Sequence, residues 1–366
     1  MTYAAHSAYA AHPPRAQRIP VAVLGATGAV GQTLVRLLHR HPWFELTKVA
    51  ASERSAGKRY SDAAHWLEGD LPPAIAALTV VPCSPDAVST QLVFSALDSS
   101  VAGTIEASFA CAGRLVCSNA RNYRMEPDAP LLIPEINAPH VDVIAAQRTR
   151  CGWSGAILTN ANCASTIAAM ALAPLHERFV VTALFIATMQ AVSGAGYPGV
   201  SSLDILGNVI PFIADEEAKI EVEIAKLLGT VSGGSIIPAS IRATAHANRV
   251  PVENGHTICM SVGLERSATP DEVTDVIAAW QGCAEARALP SHPAHPLLIA
   301  SAPDRPQPRR DIGAGGGMTV TVGRVRPDTL LDVRLVAMGS NTIRGAAGGA
   351  VLNAELLVQR GILSYP

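Results

Sequence analysis

The sequence predicts an α/β protein in which a Rossmann-type dinucleotide-binding domain is followed by an α+β domain with a mixed sheet. Three observations lead to this prediction. A turn with three glycines follows the first apolar run, short apolar runs alternate with helix-compatible stretches as far as Asn160, and later runs are rich in β-branched residues. Alternation of strands and helices is typical of a parallel sheet, whereas the later pattern favours a second sheet of mixed or antiparallel strands.

Composition and charge argue against several other classes. The chain has 366 residues, a net charge of -2, 49% hydrophobic and 16% charged residues, which favours packed domains over a disordered or nucleic-acid-binding protein. Its apolar runs are shorter than the roughly 20 residues of a membrane-spanning helix, so we expect no membrane partner. Residues 1–17 lack a signal-peptide pattern and are predicted to be a flexible tail, which favours a cytoplasmic protein.

The chain begins its predicted fold with a strand, a glycine turn and a helix. Residues 21–24 are apolar, the turn contains Gly25, Gly28 and Gly31, and an amphipathic stretch follows. Glycines let the backbone approach a diphosphate, and the helix that follows presents free N–H groups and the positive end of its dipole. The residues predicted to contact a dinucleotide here are Gly25, Thr27, Gly28, Ala29 and Val30.

The segment after the second predicted strand, 46–50, indicates which dinucleotide binds. An NAD site usually has a carboxylate at this strand end for the ribose hydroxyls. Residues 52–58 read Ser-Glu-Arg-Ser-Ala-Gly-Lys, so hydroxyls and cations dominate, although Glu53 leaves NAD open. Such groups form charge-assisted hydrogen bonds to a 2′-phosphate, which predicts NADP as the cofactor. The side chains predicted to hold that phosphate are Ser52, Arg54, Ser55 and Lys58.

The remaining elements divide the chain into domains. Further strands are predicted at 78–81, 92–96 and 115–118, and then at 180–187, 258–264, 318–325 and 330–338. Residues 346–361 have helix-forming spacing and are predicted to pack back onto the first domain. We therefore expect a dinucleotide-binding domain at 18–162, a second domain at 163–340 and a C-terminal helix within 341–366.

Cys163 is the candidate nucleophile. The seven cysteines contain no CxxC pair and no metal-ligand spacing, so neither a disulfide scaffold nor a metal site is predicted. Asn162 is a favourable N-cap before the helix formers at 167–172, which places Cys163 in the first turn of a helix. The helix dipole and nearby N–H groups are expected to lower the pKa of this thiol. Backbone N–H groups around Asn162 and Cys163 are expected to stabilise an oxyanion.

A cysteine enzyme also needs a group that handles protons. His256 ends the segment Arg-Val-Pro-Val-Glu-Asn-Gly-His, where a turn presents an imidazole seven residues after Arg249. An imidazole near a thiol is a common acid/base partner, so His256 is the candidate. His246 is the nearest rival among the other histidines.

Together these segments resemble the aspartate-β-semialdehyde dehydrogenase family, in its archaeal and fungal branch. The resemblance spans nearly the whole chain and depends on many short motifs in the same order. In the first part of the chain they are GATGAVG at 25–31, SERSAGK at 52–58, SNARNYRM at 118–125, LLIPEIN at 131–137 and NANCAS at 160–165. The later ones are MQAVSGAGYPG at 189–199, EEAKIEVEIAKLLG at 216–229, RVPVENGH at 249–256, DRPQPR at 304–309 and NTIRGAAGGAVLNAELL at 341–357.

The resemblance implies a role for each matching residue. It makes Cys163 the acylated nucleophile and His256 its acid/base partner, with Gln190 near the reacting end of the substrate. It assigns the substrate carboxylate to Arg249 and the amino group to Glu216. The residues implied to bind phosphate are Asn119, Arg124 and Lys219, and those implied to contact the cofactor are Ser193, Gly194, Ala195, Gly196 and Asn341.

The implied reaction is the NADPH-dependent reductive dephosphorylation of L-β-aspartyl phosphate to L-aspartate-β-semialdehyde through a Cys163 thioester, in lysine, methionine and threonine biosynthesis. The second domain would then be catalytic and would form a homodimer or homotetramer. The sequence departs from the family beside the nucleophile, where Ala161 replaces a proline and Ala164 follows the cysteine. Two alternatives therefore stay open, a related malonyl-CoA reductase and an NADP-binding paralogue without catalysis.

Overall fold

A computed structural model describes residues 17–363 of the chain. The predicted flexible tail, residues 1–17, lies outside the described residues except for Gln17, as do residues 364–366.

The first part of the described chain alternates strands with helices. Its strands form one seven-stranded sheet in the order β3-β2-β1-β4-β5-β7-β6, in which every neighbouring pair is parallel. A 3₁₀ helix at Ala138–Val143 precedes its last helix. The elements are β1 (Ile19–Leu24), α1 (Ala29–His39), β2 (Phe44–Ala51), α2 (Tyr60–Ala63), α3 (Pro73–Ala76), β3 (Val80–Pro82), β4 (Leu92–Ser95), α4 (Ser99–Cys111), β5 (Leu115–Ser118), β6 (Leu131–Leu132), α5 (Pro134–Asn137), α6 (Ile144–Cys151) and β7 (Ala156–Asn160).

The second part contains a mixed six-stranded sheet in the order β11-β8-β12-β15-β14-β13. Its outermost pairs, β11 with β8 and β13 with β14, are parallel, and the inner pairs are antiparallel. The elements are α7 (Cys163–Phe179), β8 (Val181–Gln190), α8 (Ser202–Ile205), α9 (Glu216–Leu227), β9 (Thr230–Ser232), β10 (Ser235–Ile237), β11 (Arg242–Arg249), β12 (His256–Leu264), α10 (Pro270–Ala279), α11 (Ala284–Arg287), β13 (Leu297–Ala300), α12 (Pro308–Asp311), β14 (Val320–Pro327), β15 (Val333–Gly339) and α13 (Gly348–Gln359), with 3₁₀ turns at Val192–Ala195 and Ala314–Gly317 and a π-helix at Ile343–Ala347.

The predicted fold class is confirmed, since a parallel dinucleotide-binding sheet is followed by a mixed sheet. Two strands of the second sheet were not predicted. β11 reads Arg-Ala-Thr-Ala-His-Ala-Asn-Arg and lacks the β-branched apolar residues that favour strands, and β13 lies in a proline-rich segment. Both are edge strands, which neighbouring strands can hold by backbone hydrogen bonds without a strong local signal.

Two large hydrophobic cores lie against the two sheets, and a third, smaller cluster lies between the first sheet and α4. In the first, α1 and β1 pack together with the C-terminal helix α13, for example through Leu34, Val21 and Leu352. In the second, α7 packs against the mixed sheet and is buried along most of its length. The C-terminal helix therefore contacts the first domain, although it follows the second in sequence.

Strand register brings three predicted site residues together where strands β8 and β11 end and β12 begins. Gln190 ends β8, and the parallel register pairs it with Arg249 at the end of β11. The antiparallel strand β12 begins at His256 beside the same end of β8. The N-terminus of α7 lies at these strand ends. Its first residue, Cys163, contacts the imidazole of His256 through its sulfur.

In the described part of the chain, no helix is long and apolar enough to cross a membrane. The same residues contain no cluster of three or more side chains suited to hold a metal ion.

Candidate active site

The turn that leads into the candidate nucleophile, residues 161–163, has the predicted local structure and is called the nucleophile turn below. α7 begins at Cys163, and Asn162 is its N-cap. The Oδ1 atom of Asn162 accepts hydrogen bonds from the N–H groups of Ala164 at 2.9 Å and Ser165 at 3.1 Å. Asn162 therefore uses two of the N–H groups that an uncapped helix would leave free.

His256 contacts Cys163 directly. Its Nε2 lies 3.2 Å from the sulfur of Cys163, and its Nδ1 accepts a hydrogen bond from the N–H of Ala191 at 3.0 Å. A neutral imidazole has one N–H and one bare nitrogen. Because Nδ1 accepts, the proton of neutral His256 lies on Nε2 and points toward the sulfur.

Burial strongly affects the protonation of this pair. Burial, and then the neighbouring charge of Arg249, lowers the pKa of His256 to about 3, so the imidazole is neutral near pH 7. Burial, and then the charge of Glu216, raises the pKa of the Cys163 thiol to about 12. The helix N-terminus was predicted to lower this pKa, and the N–H of Ala164 does lower it, but the net shift is upward. Arg124 and the N–H of Ala164 do favour the thiolate, but desolvation outweighs them.

Glu216 lies at the centre of the predicted substrate site. It is buried at the start of α9, and its Oε1 accepts hydrogen bonds from Asn162 Nδ2 at 2.8 Å and Gln190 Nε2 at 3.0 Å. Its Oε2 lies 3.5 Å from Nζ of Lys219, which is more exposed. Glu216 therefore joins the nucleophile turn, the end of β8 and the predicted phosphate-binding lysine.

Arg249 is buried near His256. Its Nη1 donates a hydrogen bond to the carbonyl of Ala191 at 2.7 Å, the residue whose N–H binds His256. A Cβ placed on Gly194 would lie 2.8 Å from Nη1 of Arg249 and 3.1 Å from the ring of His256. The predicted cofactor loop and these two side chains therefore pack without room for a larger residue.

Arg124 and Asn119 lie together, as expected for a shared anion site. Arg124 is buried, and its Nη2 donates to the carbonyl of Asn119 at 2.7 Å. Its Nη1 donates to Oε1 of Glu223 at 2.9 Å, whereas its buried Nε has no hydrogen-bond partner among the described residues. Asn119 is oriented by Ser95, whose carbonyl accepts from its Nδ2 at 3.0 Å.

Glu223 was not predicted from the sequence. It is buried in α9, and its Oε2 accepts a hydrogen bond from the backbone N–H of Asn162 at 2.6 Å. That N–H was expected to help stabilise an oxyanion, and this expectation is wrong because Glu223 already occupies it. The available signal was helical spacing, since Glu223 lies seven residues after Glu216 and so on the same face of α9.

The glycine turn is packed too tightly for a side chain at Gly25 or Gly31. Gly25 has a φ of +72°, and a Cβ there would lie 2.5 Å from the carbonyl oxygen of Ala96. A Cβ on Gly31 would lie 2.2 Å from the carbonyl oxygen of Gly25. Gly28 is the N-cap of α1 and supplies no side-chain cap, so the first N–H groups of the helix have no side-chain acceptor from it. The predicted residue Thr27 lies in the same turn, and Ala29 and Val30 begin α1.

The predicted 2′-phosphate residues lie just beyond the end of β2. Ser52, Arg54 and Lys58 are exposed and Ser55 is half-buried. Within residues 17–363, none of these four side chains forms a hydrogen bond or an ion pair. They are free to meet a ligand.

Asn341 connects the predicted nicotinamide region to the turn before His256. Its Nδ2 donates to Oγ of Ser193 at 2.9 Å, and its Oδ1 accepts from the N–H of Gly255 at 2.8 Å. Ser193 begins the loop that continues through Gly194, Ala195 and Gly196. The π-helix that follows Asn341 packs against Cys163, because a Cβ on Gly345 would lie 2.6 Å from Cβ of Cys163.

These features define a class of protein. A glycine turn after the first strand of a parallel sheet, followed by a half-buried cysteine in contact with a buried histidine, is the arrangement of a nicotinamide-linked dehydrogenase that acts through a cysteine.

Comparisons with known proteins identify the family within that class. Residues 20–144 match the model of the semialdehyde dehydrogenase NAD-binding domain, and residues 172–344 match that of the semialdehyde dehydrogenase dimerisation domain. The aspartate-semialdehyde dehydrogenase of Archaeoglobus fulgidus is 45% identical over 94% of this chain and 100% of its own length. That of Schizosaccharomyces pombe is 43% identical over 94% of this chain and 99% of its own. The chain belongs to the aspartate-semialdehyde dehydrogenase family, which confirms the predicted resemblance.

Solved structures agree. The crystal structure of aspartate semialdehyde dehydrogenase with NADP from Candida albicans matches with a TM-score of 0.87 and 40% identity, covering 95% of this chain and 100% of that one. Aspartate semialdehyde dehydrogenase II from Vibrio cholerae, in complex with ASA, matches with a TM-score of 0.74 and 27% identity, covering 93% of this chain and 98% of that one.

Proposed function

We propose that this protein catalyses the NADPH-dependent reductive dephosphorylation of L-β-aspartyl phosphate to L-aspartate-β-semialdehyde, a step in lysine, methionine and threonine biosynthesis. The observation that carries the proposal is the contact of 3.2 Å between the sulfur of Cys163 and Nε2 of His256. This contact lies beside the strand ends at Gln190 and Arg249. The relatives that match nearly the whole chain are aspartate-semialdehyde dehydrogenases, which does not favour a malonyl-CoA reductase or a non-catalytic paralogue.

The residues present suit NADP. The uncapped start of α1 offers N–H groups to the diphosphate, and Gly25 and Gly31 let the turn pack tightly against the protein's own backbone. The uncommitted side chains of Ser52, Arg54, Ser55 and Lys58 suit a 2′-phosphate. Ser193, Gly194, Ala195, Gly196 and Asn341 would contact the nicotinamide end. When bound, NADPH supplies the hydride that reduces the Cys163 thioester.

The bonds that form and break at Cys163 can be followed step by step, and the hydride of NADPH is the only reductant that they require. The sulfur of Cys163 attacks the acyl carbon of β-aspartyl phosphate, and phosphate leaves with the electron pair of the broken C–O bond and takes up the thiol proton. After reduction of the thioester carbon, the C–S bond breaks, the aldehyde forms and the electron pair returns to sulfur. Covalent catalysis thus divides one difficult step into two easier ones.

His256 supports this cycle as a neutral imidazole. Its Nε2–H donates a hydrogen bond to the sulfur and to the oxyanions that form beside it. Accepting a proton at Nε2 would require the proton on Nδ1, where it would face the N–H of Ala191. The acid/base role expected from the sequence therefore narrows to hydrogen-bond donation while the Ala191 contact lasts.

The substrate is held by charges of opposite sign. Arg249 would bind its α-carboxylate, Glu216 its ammonium group, and Gln190 the region of the reacting carbon. Asn119, Arg124 and Lys219 would bind the phosphate. A guanidinium suits an oxyanion and a carboxylate suits an ammonium, and the unpartnered Nε of Arg124 leaves a donor for the phosphate.

The test is an oxidation assay with aspartate semialdehyde, in which reduction of NADP depends on inorganic phosphate. Cys163→Ala is expected to lower kcat by about 10⁴-fold or more, because the covalent route is lost. Cys259→Ala is the matched control, since this half-buried thiol lies in β12 away from the nucleophile turn. Substantial activity in Cys163→Ala would rule out the thioester route, and dependence on CoA in place of phosphate would rule out the substrate.

We further propose a homodimer or homotetramer that works in the cytoplasm. The second matching family model is a dimerisation domain, and β8 keeps large apolar side chains, Phe185 and Met189, exposed on its sheet. The seven cysteines are free thiols, which suits a reducing compartment. Light scattering on the purified protein measures the oligomer, and a monomer at micromolar concentration would refute the assembly.

A further inference from the structure

Glu223 is a buried carboxylate between two parts of the active site. Only 2% of its surface is exposed, in the middle of α9. Its Oε2 accepts the backbone N–H of Asn162 at 2.6 Å, and its Oε1 accepts Nη1 of Arg124 at 2.9 Å. One partner therefore precedes the nucleophile Cys163, and the other is the arginine assigned to the phosphate.

A buried carboxylate is costly unless its oxygens are paired. Both oxygens of Glu223 are used, and both donors come from other elements of the chain. The pairing also aligns Arg124. With Nη1 on Glu223 and Nη2 on the carbonyl of Asn119, Nε is the guanidinium nitrogen left without a partner among the described residues.

Other contacts already perform the structural tasks that could explain Glu223. Lys226, one helical turn later, donates to the carbonyls of Arg124, Glu126 and Ala129 at 2.6, 2.6 and 2.9 Å, and so fixes the backbone of that loop. The side chain of Asn162 caps α7 and bonds Glu216. Glu223 adds something different, because it joins the guanidinium of one segment to the nucleophile turn of the other.

We propose that Glu223 is a positioning residue, which holds the phosphate-binding arginine and the turn of Cys163 in one arrangement for acyl transfer. The inference rests on the proposed function. The negative charge of Glu223 also offsets the positive charge of Arg124. Arg124 therefore does not bind the phosphate too tightly for it to leave. Loss of the charge therefore slows the transfer without weakening the binding of phosphate.

The experiment compares Glu223→Gln with the wild type in the phosphate-dependent oxidation of aspartate semialdehyde by NADP. We expect kcat to fall at least about tenfold while KM for phosphate stays the same or decreases. Glu221→Gln is the matched control, since Glu221 lies on the same helix and accepts the N–H of Ala245 at 2.9 Å, outside the active site. Its kinetics should equal those of the wild type.

Further variants separate positioning from simple destabilisation. Glu223→Asp keeps the charge but is too short to reach both donors, so it should show the same fall in kcat. In an Arg124→Gln background, Glu223→Gln should still lower kcat, because the contact with Asn162 is lost as well. Thermal melting and NADP binding identify any variant that does not fold. If Glu223→Gln does not fold, the kcat of Glu223→Asp decides.

The outcomes distinguish the two proposals. If the wild type shows no phosphate-dependent activity, the proposed function is wrong and this inference fails with it. If the wild type is active and Glu223→Gln or Glu223→Asp keeps the kcat of Glu221→Gln, the function stands and the inference alone is overturned. A higher KM for phosphate with unchanged kcat would likewise overturn it, because Glu223 would then serve binding only.

Discussion

The imidazole of His256 lies 3.2 Å from the sulfur of Cys163, and its other ring nitrogen accepts the N–H of Ala191. This relationship fixes which nitrogen carries the proton of the neutral ring. It also means that both members of the pair are uncharged near pH 7 before ligands bind, since their pKa values are shifted in opposite directions by burial. The protonation of this pair can be tested directly.

Alkylation of Cys163 by iodoacetamide should rise steeply with pH. Because burial raises the pKa of the thiol to about 12, the thiolate fraction grows about tenfold per unit from about pH 7 to about pH 9 without a plateau. Glu216→Gln removes a charge that raises this pKa, so alkylation at a given pH should become faster. Glu217→Gln, which loses a contact with the N–H of Ala247, is the control. A plateau near pH 7 in the wild type would contradict the prediction.

The rate should not report the titration of His256 in the neutral range. With a pKa near 3, its imidazole stays neutral as pH falls from about 8 to about 5.5, so kcat shows no step from its protonation there. His256→Ala should lower kcat/KM by about 10² to 10⁴-fold. His256→Gln should retain more activity, because an amide N–H can still donate. A limb near pH 6.5 that disappears in His256→Gln would refute this assignment.

Arg54 and Lys58 should distinguish NADP from NAD. A charge-assisted hydrogen bond contributes about 1.5–3 kcal/mol, so Arg54→Ala or Lys58→Ala should raise KM for NADP by about tenfold or more. KM for NAD should hardly change, because NAD has no 2′-phosphate. Arg59→Ala is the control, since this exposed arginine is adjacent but was not assigned to the phosphate. Equal effects on both cofactors would contradict the prediction.

The ion pair of Arg344 and Glu135 should matter for stability. Both side chains are buried, Nη2 of Arg344 lies 2.7 Å from Oε1 of Glu135, and Nε of Arg344 donates to the carbonyl of Met318. Arg344→Met leaves the carboxylate of Glu135 buried and unpaired, which should cost about 3–5 kcal/mol and lower Tm by several degrees. Adding Glu135→Leu should recover much of the loss. The recovery of Tm in the double variant is the critical measurement. If Tm does not recover, Arg344→Met acts through lost packing and not through an unpaired Glu135.

Much of the fold could be predicted from local patterns. The strand at Leu115–Ser118 has the predicted bounds, and the strand at Val181–Gln190 extends the predicted one by three residues at its C-terminal end. β11 could not be predicted, because its polar sequence becomes a strand only where β8 supplies backbone partners. That strand carries Arg249, so the position of a predicted substrate residue depended on an element with no local signal.

The sequence by itself determined the glycine turn, the Asn162 cap, the candidate pair Cys163 and His256 and the family, because turns, caps and ordered motifs depend on neighbouring residues. Only the tertiary structure decided the charge state of that pair, the tautomer of His256 and the place of Glu223. These depend on desolvation and on contacts between segments far apart in the chain, such as the 61 residues that separate Asn162 from Glu223. A thiol that its own helix would ionise is kept protonated by the protein packed around it.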